Sequence, residues 1–208
     1  MPVSPRLREE LANTASHALG AVAALAALPV LAAEHAARSN GRETGMWVFA
    51  ATMLLAYTVS SMYHATPAGH RTKAWLRRLD HAAIYVFMAG TYTPFALGHA
   101  LGAPLLALVW AVAATGVALK LVGCLRNRAL STALYLAFGW LMIAAVQPLL
   151  ASLGRDGLLW LLAGAIAYCA GTLFFLLDQR MRFGHLVWHL LVLVGSGCHL
   201  VAVLKHTA

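Results

Sequence analysis

Two histidines lie four residues apart in an apolar stretch near the C-terminus, HLVWHLLVLVGSGCHL, which runs from His185 to Leu200. Residues at positions i and i+4 share one face of an α-helix, with their β-carbons about 5–6 Å apart. Ionisable side chains are costly inside a membrane-spanning segment, so their presence there indicates a functional site. The spacing therefore predicts that His185 and His189 hold one metal ion together.

A second pair with the same spacing, Ser60 and His64, lies in the motif SSMYH. Three imidazoles, from His64, His185 and His189, match a zinc site with three protein ligands and a fourth position for water. A structural zinc site is more often closed by four protein ligands, so the open set favours chemistry. We expect Asp80 to orient a histidine or to take a proton from water, and Ser60 to donate to a carbonyl oxygen or to hold the water.

Structural alternatives exist for the same residues. A histidine pair in a membrane helix can form hydrogen bonds to neighbouring helices instead of binding a metal. Asp80 can form an interfacial salt bridge with Arg77 or Arg78, which precede it by three and two residues. The sequence leaves the roles of Asn13 and His17, near the start of the first apolar segment, open.

The composition identifies the environment in which these residues work. The chain is 61% hydrophobic and 11% charged, with a mean hydropathy of +0.74, whereas a soluble domain is about half apolar and about a quarter charged. Three cysteines, an odd number of which two lie in apolar segments, do not suggest a disulfide framework. These values indicate a membrane protein.

Seven apolar segments are long enough to cross a bilayer, which requires about 20 residues for a helix. Because backbone polar groups must be satisfied within the bilayer, we predict an all-α fold, an integral membrane bundle of seven transmembrane helices. Residues 1–15 are expected to form a short cytoplasmic N-terminal segment and residues 16–208 the seven-helix domain. The predicted spans are residues 16–37, 45–66, 79–98, 101–123, 130–152, 157–177 and 185–205.

The distribution of Lys and Arg predicts the orientation of these spans. With seven spans, the N-terminal tail shares a side with the junctions after spans two, four and six. That side carries Arg6, Arg8, Arg71, Lys73, Arg77, Arg78, Arg126, Arg128, Arg180 and Arg182. The opposite side carries Arg38, Arg42, Arg155 and Lys205. The asymmetry places the N-terminus in the cytoplasm and the C-terminus outside.

The predicted partners are membrane lipids. The net charge of +8 suits anionic headgroups, and we expect no nucleic-acid partner, because no soluble domain presents the charge. The same topology brings the intramembrane polar residues to one depth on the cytoplasmic side. These residues are Asn13, His17, Ser60, His64, Asp80, His81, His185 and His189.

Four motifs, NTASHALG, SSMYH, LDHAAIYVFMAGTYTPF and HLVWHLLVLVGSGCHL, occur in this order along the chain. In combination they resemble the bacterial hemolysin III family, relatives of the progestin and adipoQ receptors, over essentially the whole length. The resemblance implies a seven-helix protein of the bacterial inner membrane. It also implies a zinc ion held by His64, His185 and His189, with Ser60 and Asp80 close by.

The resemblance further suggests kinship with alkaline ceramidases, and hence a zinc-dependent lipid amide or ester hydrolase that acts in membrane lipid homeostasis. The alternative is a non-enzymatic membrane sensor or regulator whose structural zinc ties spans two and seven together. The family name implies a cytolysin as a further alternative, although no long amphipathic pore-forming segment is evident. The sequence identifies neither the lipid substrate nor any protein partner.

Overall fold

A computed structural model of the chain describes residues 4–38, 43–97, 102–141 and 146–206. Over these residues the chain forms seven α-helices and no strand, which confirms the predicted all-α membrane bundle. The helices are α1 (Pro5–Arg38), α2 (Glu43–Ala65), α3 (Lys73–Ala96), α4 (Gly102–Leu121), α5 (Arg128–Trp140), α6 (Val146–Leu177) and α7 (Gly184–His206).

Within the described residues, five helices are long and apolar enough to cross a membrane by length and composition, namely α1, α2, α4, α6 and α7. The helix α3 begins with a polar segment, but more than half of its 24 residues are buried. It packs against α2, α4, α5 and α7. A helix enclosed by other helices needs no continuous lipid-facing surface, and its polar groups can face the bundle interior. The polar residues of α3 are therefore compatible with a central membrane helix.

The helices follow one another around the bundle. α1 packs against α2 and α7, α2 against α3, α3 against α4, and α6 against α7. The main apolar core lies between α1, α2, α3 and α7 and includes Leu31, Phe49, Phe87 and Val203. Since the direction of the helices alternates, the start of α1, α3, α5 and α7 and the end of α2, α4 and α6 meet at one end of the bundle. We call this end the histidine end.

The first helix begins at Pro5 rather than at residue 16, the start of the predicted first span. Its 34 residues correspond to about 50 Å at 1.5 Å per residue, whereas the hydrocarbon core of a bilayer is about 30 Å thick. The first turns of α1 therefore extend past the apolar layer at the histidine end, which suits the charged residues in them. Sequence hydropathy missed these turns because it detects only the apolar part of a helix.

The predicted fifth span, residues 130–152, includes residues 142–145, which lie outside the described residues. α5 ends at Trp140 after 13 residues, and α6 begins at Val146. Gly154 then interrupts α6 with φ +63° and ψ −176°, a conformation that glycine adopts readily because it has no β-carbon. This interruption lies between the predicted fifth and sixth spans. Residues 39–42 and 98–101, which belong to the predicted junctions after the first and third spans, lie outside the described residues.

Glycine also brings α1 close to α7. A β-carbon at Gly20 would lie 2.6 Å from the side chain of Leu193 and 3.0 Å from the ring of Tyr57. A larger residue would therefore push α1 away from α7 and α2. Gly20 follows His17 by one helical turn, so this close approach positions the polar residues of α1 against those of α7.

Candidate metal centre

Three imidazoles converge at the histidine end. His64 lies on the last turn of α2, and His185 and His189 lie on the first two turns of α7. One ring nitrogen of each lies within 4.8 Å of the corresponding atom of the other two, so the three could hold a metal ion. Their ring centroids are 4.8–5.0 Å apart. The structure thus brings together the three histidines that were selected from their spacing in the sequence.

Two of the imidazoles contact a carboxylate on the side away from the cluster. His64 Nδ1 lies 2.8 Å from Glu10 Oε2, and His185 Nδ1 lies 2.8 Å from Asp178 Oδ2. A carboxylate can only accept, so each Nδ1 carries the proton and donates it. The proton position leaves the Nε2 lone pair of both rings free to bind a ligand.

The third imidazole contacts a hydroxyl group. His189 Nδ1 lies 3.0 Å from Ser16 Oγ. The Ser16 hydroxyl donates to the carbonyl of Asn13 at 2.8 Å, so its oxygen is available to accept from His189. This arrangement assigns to His189 the same tautomer as to the other two rings. The Nε2 atoms of all three histidines are buried without a hydrogen-bond partner among the described residues.

Three unpaired imidazole nitrogens in one cluster are unfavourable in a protein interior. An unsatisfied buried polar atom costs about 1–3 kcal/mol, and most such groups in folded proteins find a partner. A metal ion satisfies all three lone pairs at once, and imidazole nitrogen is a suitable ligand for zinc. The side chains present therefore fit a metal ion of this kind.

Each of the two carboxylates is held by a cation. Lys73 Nζ lies 3.3 Å from Glu10 Oε1, and an Arg128 amino nitrogen lies 2.8 Å from Asp178 Oδ2. Burial alone would raise the pKa of the Asp178 carboxyl. Hydrogen bonds from His185 and Arg128, together with the Arg128 charge, outweigh burial and hold the pKa below its ordinary value. Asp178 is therefore ionised at neutral pH and accepts the His185 proton as a carboxylate.

Asp80 and Ser60 are buried, with 6% and 3% of their surfaces exposed. Asp80 lies close enough to Ser60, His64 and His185 to interact with each of them electrostatically. Arg78 is one of the two arginines considered as a salt-bridge partner of Asp80. Its side chain donates to the carbonyl of Leu121 at 3.1 Å. The structure thus places Asp80 beside the cluster and Ser60 against Asp80.

Sequence reasoning missed the residues that contact the Nδ1 atoms of the three imidazoles. Glu10, Ser16 and Asp178 are separated from the histidines they contact by 54, 173 and 7 residues. A weak signal was present, because the chain contains only seven acidic residues and one of them, Asp178, directly follows a predicted span. Hydropathy placed Glu10 outside the membrane domain, and only the continuous helix from Pro5 brings it to His64.

The haemolysin-III related family matches residues 6–200 of the sequence, a range that includes the whole histidine cluster and its contacts. The chain belongs to the haemolysin-III related family. The family resemblance found in the four motifs is therefore confirmed, and the chain is a multi-pass membrane protein with the helical bundle described above.

Curated relatives of this haemolysin-III family member cover nearly the whole chain. It is 40% identical over 202 residues to a hemolysin-3 homolog of Bacillus subtilis (strain 168), a match that covers 95% of this chain and 94% of that protein. It is 38% identical over 206 residues to hemolysin-3 of Bacillus cereus, which covers 95% and 91%. A more distant match, 26% identical over 213 residues, is the human monocyte to macrophage differentiation factor, which covers 97% and 86%.

Proposed function

We propose that this protein is a zinc-dependent hydrolase of lipid amide or ester bonds that acts in membrane lipid homeostasis. The observation that carries the proposal is the set of three buried, unpaired Nε2 atoms at the histidine end. His64, His185 and His189 would hold the ion. The nearest ligating atoms of the three residues are already within 4.8 Å of one another, so the site needs little rearrangement to receive it.

Zinc is favoured over other metals by the chemistry of the donors. The cluster offers three neutral nitrogens, and the cluster itself contains no thiolate. Three histidine ligands with one open position are typical of catalytic zinc sites. When bound, zinc would polarise a carbonyl group and lower the pKa of water toward about 7.

Asp80 and Ser60 supply the acid–base group. We assign to Asp80 the role of accepting the proton that the attacking water loses, because its carboxylate lies beside the cluster and interacts with its imidazoles. We assign to Ser60 the role of donating a hydrogen bond to this carboxylate, with which it interacts, and so of fixing its orientation. This contact makes Ser60 a positioning residue for Asp80, and the carbonyl-binding role expected from the sequence then requires its hydroxyl to change partner.

The location of the cluster suits a lipid substrate. It lies at the end of a bundle whose outer surface carries exposed apolar side chains along α1, α4 and α6, including Leu19, Leu108 and Ile166. A site near the end of membrane helices is close to headgroup depth. An acyl chain can therefore stay in the apolar layer while its amide or ester group reaches the imidazoles.

We further propose that the histidine end faces the cytoplasm of a bacterial cell and that the C-terminus is external. The support is the excess of Lys and Arg at that end of the bundle, ten residues against four at the opposite end in the sequence. Reporter fusions after Ala208 should behave as external, and insertions in the loop before Lys73 as cytoplasmic. The opposite pattern would contradict the orientation and place the site at the outer surface.

The hydrolase is tested by separating metal binding from catalysis. Purified protein incubated with ceramide-like and phospholipid substrates should release free fatty acid. Asp80→Asn should keep its zinc and lose about two to four orders of magnitude in turnover, as expected for removal of a general base. Asp156→Asn is the matched control, because that carboxylate is 78% exposed and contacts Lys205 at 3.8 Å. Full activity of Asp80→Asn would contradict the assignment.

A regulator with a structural metal is the second candidate, and one observation favours it. The imidazoles and their hydrogen-bond partners come from α1, α2, α7 and the loop after α6, so a bound ion would tie these elements together. In that case a broad lipid panel gives no zinc-dependent turnover, and removal of the metal lowers the thermal stability of the bundle.

A further inference from the structure

Two polar side chains on α1, Asn13 and His17, are buried beside the cluster without full hydrogen bonding. Each has only 5% of its surface exposed. Asn13 Oδ1 and both ring nitrogens of His17 have no hydrogen-bond partner among the described residues. The two residues are one helical turn apart and share a face of α1. Three unpaired polar atoms therefore lie on one surface next to the imidazoles.

His17 is held against the cluster by ring stacking. Its ring lies parallel to that of His189, with centroids 3.6 Å apart and an interplanar angle of 11°. The edge of Tyr57 packs against it at 5.1 Å. Ring nitrogens point outward in the plane of the ring, so in this stack neither nitrogen of His17 is directed at the face of His189. The stack fixes the ring and leaves its polar edge unused.

Packing alone does not explain these residue types. A phenyl ring at position 17 would stack on an imidazole, and a leucine at position 13 would fill the volume of an asparagine, without leaving buried polar atoms unpaired. Unpaired buried polar groups cost stability unless a ligand or water completes them. Their location beside the candidate metal centre indicates that this ligand is the one that reaches the imidazoles.

We propose that Asn13 and His17 bind the polar group of an acyl lipid whose carbonyl reaches the imidazole cluster. A neutral imidazole offers one N–H donor and one acceptor, so His17 can donate to the carbonyl oxygen. The Asn13 side-chain oxygen accepts from the neighbouring N–H or O–H of the same lipid. This inference rests on the proposed function, because it takes the acyl lipid as ligand, but it concerns binding and not hydrolysis.

Binding is measured with cobalt-substituted protein and a long-chain fatty hydroxamic acid as probe, followed by the change in the cobalt absorption spectrum. His17→Phe keeps the stacked ring and removes both nitrogens. We expect it to retain cobalt and to bind the hydroxamate about ten to a hundred times more weakly, as for loss of a buried hydrogen-bond partner. His17→Gln, which restores a donor and an acceptor, should recover part of the affinity.

Asn13→Leu provides an independent variant of similar volume and should also weaken the probe while keeping cobalt. His199→Gln is the control, because His199 is a buried histidine of α7 that contacts the carbonyl of Leu161 at 3.2 Å, away from the cluster. It should bind cobalt and hydroxamate like the wild type. Thermal unfolding in detergent checks that each variant is folded.

The inference would be overturned if His17→Phe and Asn13→Leu both bind the hydroxamate as tightly as the wild type. If the two variants also release fatty acid at the wild-type rate, the hydrolase remains supported without this lipid subsite. Loss of cobalt in His17→Gln but not in His17→Phe would also overturn it, since stacking would then be the function of the ring. If both variants lose the probe and the wild type nevertheless releases no fatty acid, the lipid subsite is supported and the hydrolase is wrong.

Discussion

The histidine cluster has two sides that are built from different chemistry. On the side near the membrane surface, His64 and His185 donate to carboxylates that are paired with Lys73 and Arg128. On the inner side, His189 has none of its surface exposed and contacts the Ser16 hydroxyl and the His17 ring. We refer to these as the surface side and the inner side.

The difference follows from the cost of burying charge. The Glu10 and Asp178 side chains are 25% and 12% exposed, and each has a cation within 4.0 Å. A charge placed deeper in the apolar interior would cost far more unless it were paired. A hydroxyl group can fix the same imidazole tautomer without adding charge. The bundle therefore orients the two outer imidazoles with paired carboxylates and the innermost imidazole with a neutral hydroxyl group.

The largest effect on zinc content is expected from replacing His185 on the surface side and His189 on the inner side. His185→Ala and His189→Ala should each lower the zinc content of the purified protein sharply, and the double variant should abolish it, because one imidazole cannot hold the ion in competition with buffer. Metal analysis by mass spectrometry measures this directly. His199→Ala is the control and should retain near-stoichiometric zinc. Full retention in the double variant would refute the ligand assignment.

A smaller effect is expected from the surface side. Glu10→Gln and Asp178→Asn keep the shape of the side chain and remove the charge that orients His64 or His185. Loss of such a partner typically weakens metal binding about 10- to 100-fold. Competition with a chelator of known zinc affinity measures the change. An affinity equal to that of the wild type in both variants would show that the carboxylates serve the helix contacts alone.

The smallest effect is expected from the inner side. Ser16→Ala removes one neutral hydrogen bond, which contributes about 0.5–1.5 kcal/mol, so zinc affinity should fall about three- to tenfold. The same chelator competition compares it with the two carboxylate variants. If Ser16→Ala weakens zinc more than Asp178→Asn does, the ranking of the two sides by acceptor strength is wrong.

The clustering of the three histidines could be predicted from sequence because its signal is local. His185 and His189 are one turn apart in an apolar segment, and alternation of the spans places His64 at the same end. The predicted helical bundle was confirmed for the same reason, since hydropathy reports the bilayer directly. The backbone geometry at Gly154, which interrupts α6 with φ +63°, was not predictable from hydropathy.

The hydrogen-bond partners of the imidazoles on α1 could not be predicted, because they depend on contacts between distant parts of the chain. Ser16 and His189 are 173 residues apart, and their contact requires α1 and α7 to lie side by side. Hydropathy also started the first predicted span at residue 16, whereas α1 starts at Pro5. The first turns of α1 are charged, which is typical of a solvated N-terminal segment, but Glu10 in these turns contacts His64.

The central claim, that three imidazoles of one chain hold a zinc ion, is tested most directly by X-ray absorption spectroscopy of the purified, zinc-loaded protein. We expect nitrogen and oxygen neighbours of zinc at about 2.0–2.1 Å, with the scattering pattern of three imidazole rings. That pattern should be lost in the His185→Ala, His189→Ala double variant. A sulfur scatterer at about 2.3 Å, or a shell without imidazole, would contradict it.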